Sequence, residues 1–295
     1  MIQKKVRKFC QGLSSLAILY GLSACPVQAE EAAADPAAFT ATQVSEPGPI
    51  LDPTSPVWER ATPVRVEMMA QVTELPHDPD PAVKELEVRA VHNGQYLSLL
   101  LRWADPTKDD VLRPDAFGDQ VAVQLPIDAE NVPSPMMGHK PGGKVNILQW
   151  RAAFQHDQDK GEPTIHALYP NAVIDIYPDY VLRATDSRVY SGALGVDNPV
   201  SRGRVSPVLD QMAEGWGTLT VKPDQQGDGK GIWQDGMWNV VINLPLATIS
   251  HNAPRLLPGK ETMTAFAVWD GGHGEVGSRK SWSNWLPLKL QRGQP

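Results

Sequence analysis

Between residues 96 and 103 the apolar side chains sort onto alternate positions. Leu97, Leu99, Leu101 and Trp103 share one face of an extended segment, and Tyr96, Ser98, Leu100 and Arg102 share the other. Successive side chains of a strand point to opposite faces, so this period predicts a strand and excludes a helix. Met237–Leu244 repeats the pattern, with Trp238, Val240, Ile242 and Leu244 on one side, as a half-buried antiparallel strand requires. Similar short runs occur at Leu86–Val91, Gln120–Leu125, Val145–Phe154, Ala172–Tyr177, Trp216–Val221, Thr262–Trp269 and Trp282–Leu290. Helical periodicity is scarce, and short helical turns are expected only around Val205–Ala213 and Leu246–His251. The 27 prolines and 24 glycines supply the turns between strands. The expected class is mainly β: an antiparallel β-sandwich with long loops and a few short helices, one domain over residues 50–292. The connections 104–119, 126–144 and 155–171 are long for a bare sandwich, and long loops on a rigid sheet usually carry ligand sites.

The N-terminus reads as an address. A basic start, Lys4 to Lys8, precedes the apolar stretch Leu13–Leu22 and then small residues, the order of a secretory signal over residues 1–29. The stretch is too short to span a bilayer, which takes about 20 apolar residues. Two processing sites compete: cleavage after Ala29 in Val27-Gln28-Ala29, and lipidation of Cys25 in Leu22-Ser23-Ala24-Cys25. Residues 30–49 are rich in Ala, Pro and Glu without a hydrophobic period and are expected to form a flexible lead-in. Both cysteines, Cys10 and Cys25, precede this point. The body therefore has no thiol for a disulfide, a cysteine-held cluster or a thioether-linked haem.

The chain carries 34 acidic and 27 basic residues, a net charge of −7. All four charges within residues 1–29 are positive, so a chain starting at Glu30 carries −7 − 4 = −11. Such an acidic body argues against nucleic acid, whose phosphates call for clustered Lys and Arg. No second apolar run is long enough for a transmembrane anchor.

Two loops could carry chemistry. Pro135–Gly143 sets Met136 and Met137 in a Gly/Pro-rich stretch, where a thioether can ligate iron or copper; read plainly, both methionines pack under the loop. Near the C-terminus a Gly-rich loop after Asp270 leads to Lys280, which opens the last strand; read plainly, it is a solvated strand-edge charge. His139 and His273 flank these loops, and no His-x-x-x-His or His-Glu-x-x-His pair suggests a zinc site. Asp224–Asp235 half resembles a calcium loop but lacks its final Glu, and reads as a hairpin turn. No Gly-x-Ser-x-Gly occurs, and no carboxylate pair stands out for hydrolysis.

Several segments together resemble a known family. They are Gly94–Asp105 with its Arg-Trp-Ala-Asp ending, Phe117–Pro126, Met137-Gly138 running to Val145–Ala152, Gly231–Val241 and Phe266–Trp285. The ordered set resembles the haem b-binding gamma subunits of periplasmic molybdoenzymes of the ethylbenzene dehydrogenase, dimethylsulfide dehydrogenase, selenate reductase and chlorate reductase group. The resemblance implies a β-sandwich holding one haem b between a Met and a Lys, matching Met137 and Lys280 here, with Trp282 and Trp285 as haem walls. If the loop register differs, Met136, His139 or His273 takes a ligand position. It further implies a periplasmic electron-transfer subunit without its own substrate site. Its partners would be a molybdopterin catalytic subunit, an iron–sulfur subunit and a c-type cytochrome or similar redox partner. Lys280 would have to bind iron neutral; losing its proton at pH 7 from a pKa of about 10.4 costs roughly 3.4 × 1.36, or ~4.6 kcal/mol, which burial lowers. The alternative is a non-redox β-sandwich binding module, for carbohydrate or another ligand, whose nine tryptophans provide stacking surfaces.

Overall fold

The computed structural model describes residues 39–161, 165–171, 206–248, 250 and 252–292. In chain order the strands are β1 (Phe39–Gln43), β2 (Val64–Glu67), β3 (Met69–Ala70), β4 (Glu85–His92), β5 (Tyr96–Ala104), β6 (Gln120–Pro126) and β7 (Val145–Arg151). They continue as β8 (Val208–Ala213), β9 (Thr220–Val221), β10 (Asp228–Gln234), β11 (Met237–Pro245), β12 (Glu261–Trp269), β13 (Ser281–Trp282) and β14 (Leu286–Leu290). One nine-residue helix, α1 (Ala152–Lys160), follows β7 directly.

The strands form two layers. The first runs β10-β11-β5-β4 with β2 on β4, and the second runs β14-β12-β6-β7-β8-β9. β1 joins them by pairing parallel to β14 at its start (Phe39 opposite Leu288) and parallel to β4 at its end (Thr42 opposite Val91). The other described pairings are antiparallel. One core lies between the layers. The first contributes Leu97, Leu99, Leu101, Trp103, Val240 and Ile242, and the second Val121, Val123, Leu148, Trp150, Phe266 and Val268. Trp150 meets Trp238 edge to face across this core with ring centroids 4.9 Å apart, and Trp103 stacks near Trp238 at 6.2 Å. Large aromatic area buried at the centre is the chief hold between the layers. The mainly β, sandwich-like class is therefore the one the alternation implies.

Alternation also fixes what faces away from the core. On the first layer Leu100 and Val241 point outward and are covered by Val44, Ile50, Val57 and Trp58. On the second, the outward set is Gln120, Ala122 and Gln124 on β6, Ile147, Gln149 and Arg151 on β7, and Ala265, Ala267 and Trp269 on β12. That set forms the floor of the site described below.

Several local expectations change. Val205–Ala213 was expected to turn as a helix from its apolar spacing; Val208–Ala213 is instead strand β8, bonded to β7. Pairing outweighs the local period because both faces of β8 are covered, and even Asp210 and Gln211 are buried. Within Asp224–Asp235, expected as a hairpin turn, Asp228–Gln234 is strand β10. The turn is Asp235-Gly236, both at positive φ (52° and 73°), as a two-residue hairpin of the I′ kind requires. Glycine stands at 231 because the Trp150 ring occupies the place of a Cβ. The predicted strand Val145–Phe154 gives way to α1 at Ala152, and Trp282–Leu290 divides into β13 and β14. Phe39–Gln43, inside the segment expected as a lead-in, is β1. The candidate strand Ala172–Tyr177 and the export signal lie outside the described residues.

Candidate functional site

The outer face of the second layer carries a cavity of about 530 Å³, within the range of small-molecule and cofactor sites. At its centre the floor is made of Ala122, Ala265 and Ala267. Three short side chains on neighbouring outward positions leave a shelf that longer residues would fill. Around the shelf run Ile147 and a chain of amides. Gln149 Nε2 donates to Gln120 Oε1 (2.7 Å), and Gln211 Nε2 (3.0 Å) and an Arg151 guanidinium nitrogen (2.9 Å) both donate to Gln149 Oε1. This side of the cavity is polar, with Arg151 at its end.

Three loops wall the cavity. The first brings Met136 and Met137. Met137 has φ +65°, left-handed backbone that a non-glycine residue seldom adopts. Its neighbours hold it there. Gly138 N donates to Ser134 O (3.0 Å), Gly215 N donates to Met137 O (2.7 Å), and His139 and Gly143 exchange backbone hydrogen bonds (2.9 and 3.0 Å). At Gly138 a Cβ would strike the Gly143 carbonyl, so the residue after Met137 must be glycine. Strain held in place by a surrounding network is a mark of a functional position.

The second loop brings Val276, Gly277, Ser278 and Lys280, followed by Trp282 of β13. Lys280 Nζ stands over the Trp269 ring, 5.1 Å from its centroid. Burial draws its pKa down from 10.5 to about 8. Trp269 Nε1 donates to Gly277 O at 3.0 Å, and Trp282 Nε1 to Ala70 O at 3.1 Å, so both indoles are anchored. The third loop brings Trp216 and Leu219, both exposed at the rim.

Met137, Lys280 and Trp282, singled out in sequence, thus line one cavity, and Met136 lines it too. Trp285 does not reach it. That ring is buried beside Met137, Ile147 and Trp269, and its Nε1 donates to Pro133 O at 2.7 Å. His139 is turned toward Gly143, and His273 pairs with Asp78 at 3.3 Å; neither lines the cavity. Of the tryptophans proposed as sugar platforms, Trp103, Trp150 and Trp238 are core residues and only Trp216 is well exposed. Sequence reasoning missed Trp269, Gln149, Gln211 and the alanine shelf. Their only signal was parity along β6, β7 and β12.

Residues 55–171 match a family model described as ethylbenzene dehydrogenase. The chain is 25% identical over 242 residues to a Haloferax mediterranei protein named "Putative respiratory nitrate reductase heme subunit ORF7", covering 82% of this chain and 68% of that one. It is 24% identical over 247 residues to the chlorate reductase subunit gamma of Ideonella dechloratans (82% and 81% covered). With the dimethylsulfide dehydrogenase subunit gamma of Rhodovulum sulfidophilum it shares 26% identity over 249 residues (81% and 75% covered). Among solved structures, a family 9 carbohydrate-binding module from Caldicellulosiruptor kristjanssonii, in complex with glucose, aligns at TM-score 0.42 and 10% identity, over 87% of this chain and 96% of that one. The resemblance to these gamma subunits, read first from ordered sequence segments, is thus found across most of the chain. Among the described residues no helix is long and apolar enough to cross a membrane.

Proposed function

We propose that this chain is the haem b-carrying subunit of an exported molybdenum oxidoreductase. In this reading it relays electrons between an iron–sulfur subunit and an external partner such as a c-type cytochrome. The observation that carries the reading is that Met137 and Lys280, far apart in sequence, line the same cavity. The relatives named as a heme subunit and as gamma subunits of chlorate reductase and dimethylsulfide dehydrogenase support it.

The donor set suits a haem. A thioether and a neutral amine are two strong-field donors of the kind that complete a low-spin site. Haem b, when bound, supplies reversible one-electron chemistry at its iron. Lys280 must present its lone pair, and a pKa of about 8 leaves roughly one molecule in ten neutral at pH 7, against about one in 2,500 at the ordinary value. The cavity therefore removes most of the deprotonation cost before any ligand arrives. Met137, as the softer donor, raises the reduction potential. Trp269 and Trp282 keep water from the amine, and the alanine shelf accepts a flat ring. Arg151 and its amide chain offer hydrogen-bond donors at the polar side, where charged substituents would be met. Held by both Met137 and Lys280, a haem would keep no iron position for a substrate, which fits relay and not catalysis.

The full-length chain, produced with haem supply and purified from the exported fraction, should be red and give a b-type pyridine haemochrome. Met137→Ala and Lys280→Ala should each disturb the low-spin spectrum. If both variants keep wild-type haem content, spectrum and potential, the ligand assignment is wrong.

A further inference from the structure

Away from the cavity, three strand ends converge. Asp105 follows β5 of the first layer, Asp119 precedes β6 and Asp270 follows β12 of the second. One carboxylate oxygen from each lies within 4.8 Å of one from both others, and all three side chains are buried. The hydrogen bonds they accept come from neutral groups. Asp119 accepts from Gly271 N (2.8 Å), Asp109 N (2.8 Å) and Trp238 Nε1 (2.9 Å), and Asp270 from His273 N (2.9 Å). Asp105 Oδ1 accepts from Thr107 N at 3.1 Å.

Asp105 Oδ2 is different. It belongs to a side chain with no exposed surface and has no hydrogen-bond partner. The Trp103 indole N–H is directed at that carboxylate and lowers its pKa least of all the causes, but neither Trp103 Nε1 nor Asp105 Oδ2 has a partner within hydrogen-bond geometry. More oxygen gathers over the backbone of Gly272. A Cβ there would collide with Thr107 Oγ1 and lie 3.0 Å from Asp109 Oδ2 and 3.3 Å from Asp270 Oδ1. At Gly271 a Cβ would strike the Phe117 carbonyl. These two glycines are close-approach positions that let Thr107, Asp109 and the Phe117 carbonyl pack directly against the backbone beside Asp270.

Three buried carboxylates in mutual contact repel one another and have lost their water, so they need shared protons or a cation. Burial first, then neighbouring carboxylate charge, lifts Asp105 to about 6 and Asp119 to about 7. Mg²⁺ gives up its water reluctantly and usually keeps several water ligands, whereas Ca²⁺ accepts a full set of protein carboxylate and carbonyl oxygens. A buried set made only of oxygens therefore matches Ca²⁺ and not a soft metal.

We propose that Asp105, Asp119 and Asp270 bind one Ca²⁺-class cation, with the unpartnered Asp105 Oδ2 as its first ligand. The ion ties the end of β5 to β6 and β12, and so joins the two layers at one edge. It also anchors the start of the loop that ends at Lys280. The site stands whether or not the cavity holds a haem.

The test uses the full chain stripped with EDTA at pH 7.5. Added CaCl₂ should bind at one equivalent per chain by calorimetry and raise the melting temperature by several degrees, with MgCl₂ much weaker. Tb³⁺ should luminesce on tryptophan excitation, since Trp238 touches Asp119. Asp105→Asn and Asp119→Asn should each abolish the Ca²⁺ shift, whereas Asp128→Asn, at an exposed carboxylate away from these strand ends, should leave it intact. Absence of Ca²⁺ binding to the folded, stripped wild type overturns the site, whatever the variants do. So does a Ca²⁺ shift that both Asn variants keep in full, because the ion is then bound elsewhere.

Discussion

The indole N–H of Trp285 donates to the carbonyl of Pro133 at 2.7 Å, joining the segment after Lys280 to the loop that carries Met137. The bond is buried, and the ring packs beside Met137, Ile147 and Trp269. Two loops distant in sequence are thereby held at one separation across the cavity.

Trp285→Phe keeps most of the apolar ring but leaves the Pro133 carbonyl without its donor. The expected loss is about 1–2 kcal/mol of stability, measured by urea denaturation of haem-free protein. Haem titration should show weaker binding than this loss of fold stability explains, because the loop position is no longer set.

Met137→Gly separates backbone from sulfur. Glycine relieves left-handed strain of about 1 kcal/mol while giving up part-buried side-chain area. The haem-free variant should therefore lie within about 1 kcal/mol of wild type by denaturation. Its haem spectrum should nonetheless lose the low-spin signature. Unchanged spectra would move the sulfur ligand to Met136.

Lys280→Met tests the amine through pH. The folded-state pKa is about 8 against 10.5 for the free side chain, so between these values the unfolded chain binds more protons and stability rises with pH. That contribution is present in full above pH 10.5 and is lost as pH falls toward 8. The variant should lack this rise, be no less stable than wild type at pH 7, and bind haem weakly. Denaturation midpoints at pH 7, 8, 9 and 10 on haem-free protein are the measurement.

Gly231→Ala places a methyl group where the Trp150 ring packs. Overpacking in a core of this kind costs about 1–3 kcal/mol. The melting temperature should fall although the substitution is a favourable one by ordinary propensity, and tryptophan near-UV dichroism should change with it.

Much of the fold was open to reading because alternation is a local property. Leu97, Leu99, Leu101 and Trp103 must share a face wherever the strand lies. β10 escaped because its glycines answer to residues remote in sequence, Gly231 to Trp150 and Gly229 to Val208 and Val241, and β8 because both its faces were to be covered. Met137 and Lys280 came from a matched order of segments and not from spacing, which by itself left a packed methionine and a solvated lysine as the plain readings. Asp105 and Asp270 follow tryptophan-bearing strand ends, in Trp-Ala-Asp and Trp-Asp, and Asp119 precedes a strand after Phe-Gly, yet nothing local says that three such ends meet.

The sequence by itself therefore determined the strongly alternating strands, the side each of their residues faces and the family resemblance, since these depend on neighbours along the chain or on order within it. Which loops close over the alanine shelf, the lowered pKa of Lys280 and the meeting of three buried carboxylates were decided only by tertiary structure. Desolvation and charge repulsion depend on distances through space, and those distances exist only once the two layers have closed on their core.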